Sequence, residues 1–246
     1  MCFVTTERTD ARARRSIGGA NRHDCGDHPF ACLVCSFAPI SKTSPGNCVN
    51  RTCLDLHGGF SMIQPIVSDP TVERYLPMVA EAVGPDLAAY RNHIYRVLSY
   101  ASHFLGDDPR GREHIGFALV FHDVGMWTDH ELAYLEPSEA LAERVRAQHA
   151  SHLNPTLVAD IIHWHHKVLP FNGSDAAVVN AARKGDWIDA SMGVVRHGVS
   201  RQDVAALEAA IPVLGFPDVL LRLAKDLHQG SRLLGLCRVI SRVYKL

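Results

Sequence analysis

From residue 62 onward, hydrophobic positions recur every three to four residues, the spacing at which one face of an α-helix repeats. No comparable pattern exists before that point. The pattern predicts helices over residues 70–83, 87–105, 110–124, 136–149, 155–167 and 174–191, with two or three more between 200 and 245. Asn172-Gly173 lies between two helical patterns and not between alternating runs, so it predicts a loop and not a hairpin. The predicted fold class is all-α.

Local signals mark several of the helix ends. Gly84-Pro85 breaks the pattern, and Asp86 is a suitable N-cap for the long helix that follows. Asn154-Pro155 combines an N-cap with a proline at the first helical position. Gly125 stops the helix that ends near His122-Asp123. These signals support a series of separate helices without internal repeats.

Residues 1–61 differ in character, because they lack helical or strand periodicity and are rich in Arg, Gly, Ser, Cys and Pro. Three interpretations remain open. Cys32-x-x-Cys35, with Cys48, Cys53 and nearby histidines, could form a zinc site. The segment could instead be a disordered tail. The favoured interpretation is that translation begins at Met62, which makes residues 1–61 a mis-assigned extension of a helical domain over 62–246.

Composition narrows the class of protein. The 246 residues carry a formal net charge of −1, which indicates neither a nucleic-acid-binding nor a membrane-binding surface. No apolar run approaches the roughly 18–20 residues that a membrane helix needs. Six of the seven cysteines precede residue 54, so a disulfide framework would leave the main domain untouched. We therefore expect a reduced, cytoplasmic protein that acts on a small molecule.

Four side chains in the helical region are candidates for metal binding. His93 and Asp186 each lie on a largely apolar helix face, where an ionisable group is costly unless it has a partner. His122-Asp123 ends the apolar stretch FALVF, where a distorted last turn lets adjacent side chains converge. Imidazole nitrogen and carboxylate oxygen suit Zn, Mn, Fe, Co or Ni. Taken singly, each residue could equally be structural; Asp186 could pair with Arg183 or Lys184.

Together these residues resemble the HD superfamily of metal-dependent phosphohydrolases. The resemblance covers about residues 85–195 and rests on the motifs NHIYRV, FHDVG, IIHWHHK and KGDWID, in the family's order. It implies a helical bundle of the HD-domain type around a divalent cation. It also implies that His93, His122, Asp123 and Asp186 are the ligands, and that the chain hydrolyses a small phosphorylated or nucleotide-like substrate with metal-activated water.

The histidine pair in IIHWHHK has a separate meaning. In family members with two metals, a histidine at this place helps to bind the second ion, and another begins the preceding helix. Here that second place holds Ser138, which puts a second metal in doubt. His130 or His149 could substitute for it. His165 and His166 could alternatively bind an anionic substrate or protonate the leaving group, or simply complement a helix C-terminus.

Three residues near Asp186 could assist. Lys184 and Arg183 could meet an anion or lie on a solvated helix face, and Asp189 could orient a ligand imidazole or make a surface contact. Trp127, Thr128 and Tyr134 follow the His-Asp doublet and would border the site.

Other functions compatible with the same ligand set are a hydratase or lyase acting on a small nitrogen compound, an iron oxygenase, and a non-catalytic helical binding protein. The substrate, the metal and the oligomeric state stay open.

Overall fold

The computed structural model describes residues 62–128 and 134–226, and they are helical, without a strand. The prediction of an all-α fold is confirmed for these residues. The helices are α1 (Pro70–Tyr75), α2 (Ala80–Val83), α3 (Leu87–Leu105), α4 (Pro109–Phe121), α5 (Gly125–Thr128), α6 (Leu135–His149), α7 (Pro155–Trp164), α8 (Ala176–Ala190), α9 (Arg201–Ala210) and α10 (Phe216–Asp226). The interpretations of residues 1–61, the possible role of His130 and the helices expected beyond 226 lie outside the described residues.

Several helices begin at capping residues that can be recognised in the sequence. Asn154 accepts hydrogen bonds from the backbone amides of Thr156 and Leu157, and Pro155 occupies the first position of α7. Asp108 caps α4 through the amide of Gly111. These caps satisfy amide groups that a helix leaves without internal partners.

The structure corrects the predicted continuity of the helix over 70–83 and the predicted capping role of Asp86. Residues 70–83 do not form one helix, because a 3₁₀ turn at Leu76–Met78 separates α1 from α2; Pro77, within that turn, cannot continue an α-helical hydrogen-bond ladder. Asp86 does not cap α3 with its side chain. It lies in a second 3₁₀ turn, and its carboxylate accepts a hydrogen bond from the Trp127 indole at 2.9 Å instead.

The core is centred on α3, which packs against both α8 and α4. Helix α7 packs against both α4 and α8, and α6 packs against α7. The buried face of α3 carries Tyr90, Ile94, Val97 and Ala101, at the helical spacing seen in the sequence. This arrangement brings the middle of α3 and α8 against the C-terminal end of α4. No helix of the described chain has the length and apolar character that crossing a membrane requires.

Candidate metal centre

The four side chains that the sequence singles out as ligands lie together in the interior. Helix α3 contributes His93, the turn after α4 contributes His122 and Asp123, and α8 contributes Asp186; each is at most 2 % exposed. His93 Nε2 lies 3.1 Å from His122 Nε2 and 3.5 Å from Asp186 Oδ1. His122 Nε2 lies 3.2 Å from Asp123 Oδ2. Three separate segments of the chain therefore meet at one point.

The end of α4 explains how neighbouring residues reach the same point. The α-helix stops at Phe121, and residues 122–124 form a turn before α5 begins at Gly125. On a continuous helix His122 and Asp123 would diverge by about 100°. Ser138 of α6 stabilises the turn, because its hydroxyl accepts a hydrogen bond of 2.9 Å from the Gly125 amide. Ser138, which stands where two-metal family members have a histidine, thus supports the turn that carries His122 and Asp123.

Acceptor groups behind the imidazoles fix which nitrogen faces the centre. His122 Nδ1 lies 2.7 Å from the carbonyl oxygen of Leu119, and His93 Nδ1 lies 2.7 Å from a carboxylate oxygen of Asp189. Because these oxygens can only accept, each Nδ1 carries the hydrogen, and in the neutral ring Nε2 carries a lone pair. His165 is held in the same way by the carbonyl of Ile162. Such backing is typical of imidazoles that bind metal.

The carboxylates of Asp123 and Asp186 face the same centre, and neither can donate a hydrogen bond to the other when both are ionised. Among the described residues, Asp123 Oδ1 and both carboxylate oxygens of Asp186 are buried and accept no well-aligned hydrogen bond, although imidazole nitrogens of His165 and His166 lie 3.4 and 2.9 Å from two of them. Buried polar atoms are nearly always paired, so three such atoms at one place require an explanation. Carboxylate oxygens and imidazole lone pairs are all electron donors. Their convergence fits a cation, and the set matches the N/O ligands of first-row divalent metals.

A second group of potential ligands shares Asp123. His165 Nε2 lies 3.4 Å from Asp123 Oδ1, and His166 Nδ1 lies 2.9 Å from Asp186 Oδ2. Within the part of the chain that the structure describes, two sets have the geometry to hold an ion: His93, His122 and Asp123, and Asp123, His165 and His166. Within each set the ligand atoms lie within 4.8 Å of one another. The His166 side chain, at 13 % exposed, is the most accessible of the cluster.

The electrostatics of the cluster favour positive charge at its centre. Burial lowers the pKa of His122 to about 4, which keeps its ring neutral at neutral pH. Burial also acts to lower the pKa of His93, but the carboxylates of Asp189, Asp186 and Asp123 raise it above its ordinary value overall. Although burial opposes ionisation, the surrounding histidines, above all His166, hold the pKa of Asp186 at about 2. The aspartates are therefore charged and ready to bind a cation.

No family model, curated protein or solved structure matches the chain. The assignment of a metal to this cluster thus depends on the geometry itself. A helical fold with a buried His/Asp cluster able to hold a metal ion is compatible with an HD-like domain.

The structure does not bring every candidate residue to the cluster. Lys184 is two positions before Asp186 and so points about 160° away on α8; its ammonium group lies 4.9 Å from the centroid of the Phe104 ring. Arg183 is neither on a solvated face nor paired with Asp186, because it is buried and donates to the backbone carbonyls of Lys167 and Val168. Asp189, in contrast, contacts His93 directly.

Two residues at the cluster were given no role in the sequence analysis, although Arg96 lies within the NHIYRV motif. Arg96 lies one turn after His93 on the buried face of α3 and pairs with Asp189. Phe216, at the start of α10, stacks on the His93 ring with centroids 4.3 Å apart. A charged residue three positions after a candidate ligand, on the same apolar face, is a signal that could have identified Arg96. Nothing in the local pattern distinguishes Phe216 from an ordinary core aromatic.

Proposed function

We propose that the chain is a metal-dependent hydrolase that holds a divalent cation with His93, His122, Asp123 and Asp186. The observation that carries this proposal is the convergence of imidazole nitrogens and buried carboxylate oxygens in the interior. Carboxylates and imidazole lone pairs that converge in an apolar core are unfavourable there. A metal ion would compensate them, and the groups that hold each imidazole would already be in place.

When bound, such an ion lowers the pKa of a coordinated water and polarises a substrate oxygen. The remaining roles fall to the chain's own groups. His166 is the most accessible histidine of the cluster, so we assign it to contact with the substrate. We assign His165 to hold or transfer a proton at Nε2, because it is buried beside Asp123 and 3.5 Å from the Tyr134 hydroxyl. We assign no role to Lys184.

The substrate class proposed first is a small phosphorylated or nucleotide-like ester. It is supported by the motif resemblance and by the two additional histidines beside the ligand set. The placement of Arg183 and Lys184 favours a second candidate, because the two cations that could have met an anion face elsewhere. A hydratase or lyase acting on a small, neutral nitrogen compound would not need them.

The first experiment is metal analysis of protein purified without a histidine tag. We expect close to one equivalent or more of a first-row divalent metal, or its uptake when Mn, Fe, Co, Ni or Zn is supplied. Activity is then screened with the loaded protein against phosphomonoesters, nucleotides and small nitriles. Phosphate release supports the first candidate, and hydration of a nitrile without phosphate release supports the second.

Site variants test the ligand assignment. Replacing His122 or Asp123 with alanine removes a ligand atom from the cluster, and we expect both metal content and turnover to fall to background. His152→Ala is the matched control, since it removes an exposed histidine that pairs with Glu113. Retention of metal and turnover by the His122 and Asp123 variants would show that the ligand assignment is wrong.

A further inference from the structure

Arg96 is a fully buried cation within α3, only 1 % exposed, and its environment is built around its charge. Its Nε and Nη2 atoms donate to the two carboxylate oxygens of Asp189, the second bond at 2.9 Å. Its Nη1 atom donates to the backbone carbonyls of Ile211 and Pro212, at 3.3 and 3.1 Å. A buried ion pair is seldom the most stable way to fill a core, since desolvation offsets most of the attraction.

The Arg96–Asp189 pair is connected to the candidate metal centre, because Asp189 also contacts His93. Arg96 Nη2 donates its hydrogen bond to Asp189 Oδ2. The same oxygen lies 2.7 Å from His93 Nδ1. The three groups form a chain from guanidinium to carboxylate to imidazole, and it ends at Nε2, the atom that faces the metal centre. A bidentate arginine restricts the rotation of the carboxylate, and the carboxylate restricts the imidazole.

The guanidinium end of this hydrogen-bonded series is attached to the segment before α10. The side-chain amide of Asn92 donates through Nδ2 to the Pro212 carbonyl at 2.7 Å, and Arg96 donates to the same carbonyl. Phe216 then stacks on the His93 ring, with an angle of 17° between the two planes. His93 is therefore held at its edge by Asp189 and on its face by Phe216.

The charges of the buried groups also balance. Asp123, Asp186 and Asp189 contribute three negative charges, and Arg96 contributes one positive charge, which leaves two negative charges for the cluster when its imidazoles are neutral. One divalent cation would neutralise this set. Without Arg96 the metal-free fold would hold the three buried carboxylates without this compensating charge, which is costly.

We propose that Arg96 is a positioning residue of the metal centre, acting through Asp189 to orient His93. This inference rests on the proposed metal site. It assigns to Arg96 no contact with the metal or the substrate. It predicts that Arg96 and Asp189 control metal affinity and ligand geometry, and that they do so as one unit.

The test measures the dissociation constant and the visible absorption spectrum of Co²⁺ bound to the full chain. We expect Asp189→Asn and Arg96→Met each to weaken Co²⁺ binding by about 10- to 100-fold, the range typical of groups that support a ligand from behind. We also expect the ligand-field bands to shift, since the His93 ring is released. Arg96→Lys keeps the charge and should recover part of the affinity. A merely structural arginine would leave the spectrum unchanged.

The chain offers a closely matched control in Arg146 of α6. It makes a bidentate pair with Glu143 and donates to the Leu153 carbonyl, but it contacts none of the site residues named above. Arg146→Met should leave the Co²⁺ affinity and spectrum unchanged. If Arg96→Met fails to fold, the double variant Arg96→Met/Asp189→Asn removes both charges together. We expect its affinity to match that of Asp189→Asn alone, because the two residues act in series.

Two results would overturn the inference. Wild-type affinity and an unchanged spectrum in Asp189→Asn would remove the link to His93 while leaving the proposed metal site intact. Independent, additive losses in the double variant would contradict action through Asp189. A wild-type chain that binds no divalent metal would overturn the proposed function itself, and this inference with it.

Discussion

At the scale of single residues, the hydroxyl of Ser138 shows how one polar atom supports the His-Asp turn. It accepts the hydrogen bond of the buried Gly125 amide directly after the doublet. Ser138→Ala would leave that amide without a partner, which we expect to lower the free energy of unfolding by about 1–3 kcal/mol. Chemical denaturation of the metal-free protein measures this change. An unaltered midpoint and slope would show that the turn does not depend on the hydroxyl.

Ser102 provides the matched control for that substitution. Its hydroxyl is buried and has no hydrogen-bond partner among the described residues. Ser102→Ala removes a polar group that gains nothing from its surroundings, so the variant should be as stable as the wild type or slightly more so. Comparing the two serines separates the loss of a hydrogen bond from the loss of a hydroxyl.

The same scale explains which site residues the sequence could predict. His93 and Asp186 stand out because each is polar on an apolar helix face. Lys184 was included because it is close to Asp186 along the chain, yet two residues on a helix point in nearly opposite directions. The choice between an orienting and a surface role for Asp189 depends on the packing of α8 against α3, which no local pattern contains. Direction along one helix is thus predictable, whereas contacts between helices are not.

At the scale of elements, the approach of α3 and α8 depends on Gly185. A Cβ atom at this position would lie 2.7 Å from the backbone oxygen of Val97 and 3.1 Å from the amide nitrogen of Ala101. Backbone atoms cannot move aside as a side chain can. We expect Gly185→Ala to force the helices apart, to cost about 1–3 kcal/mol of stability, and to weaken metal binding by separating Asp186 from His93. Denaturation and Co²⁺ titration measure the two effects.

Gly116 in α4 is the control for this prediction. A Cβ atom there would meet its nearest neighbours, in Asp69, Thr71 and Val72, at 3.5 Å or more, which is ordinary contact. Gly116→Ala should therefore stabilise the protein by up to about 0.5–1 kcal/mol through helix propensity alone. Equal effects of the two substitutions would contradict a special role for the helix crossing at Gly185.

Helix boundaries show a similar division between local and tertiary information. Asn154-Pro155 and the long pattern over 87–105 are decided by neighbouring residues, and the structure follows them. Asp86 has the chemistry of a cap, but the Trp127 indole donates to its carboxylate instead. A cap predicted from sequence is thus reliable only where no tertiary donor competes for the same oxygen.

At the scale of the whole molecule, the candidate centre joins parts of the chain that are far apart in sequence. His93 and Asp189 are 96 positions apart, and His93 and His122 are 29 apart, yet both pairs are in contact. The cluster therefore forms only when α3, α4 and α8 are packed together. An unfolded chain would offer the same groups separately and bind an ion weakly. Metal binding and folding should consequently be coupled.

This coupling predicts that divalent metal stabilises the fold. At a free metal concentration 100 times the dissociation constant, binding to the folded state alone adds about 2.7 kcal/mol. For a domain of this size the expected rise in melting temperature is about 5–11 °C, measured by calorimetry with and without a chelator. Asp123→Asn should abolish the rise, because it removes an anionic ligand, while Asp107→Asn, at an exposed position, should retain it. Equal melting temperatures with and without metal in the wild type would mean that the folded state has no preference for the ion.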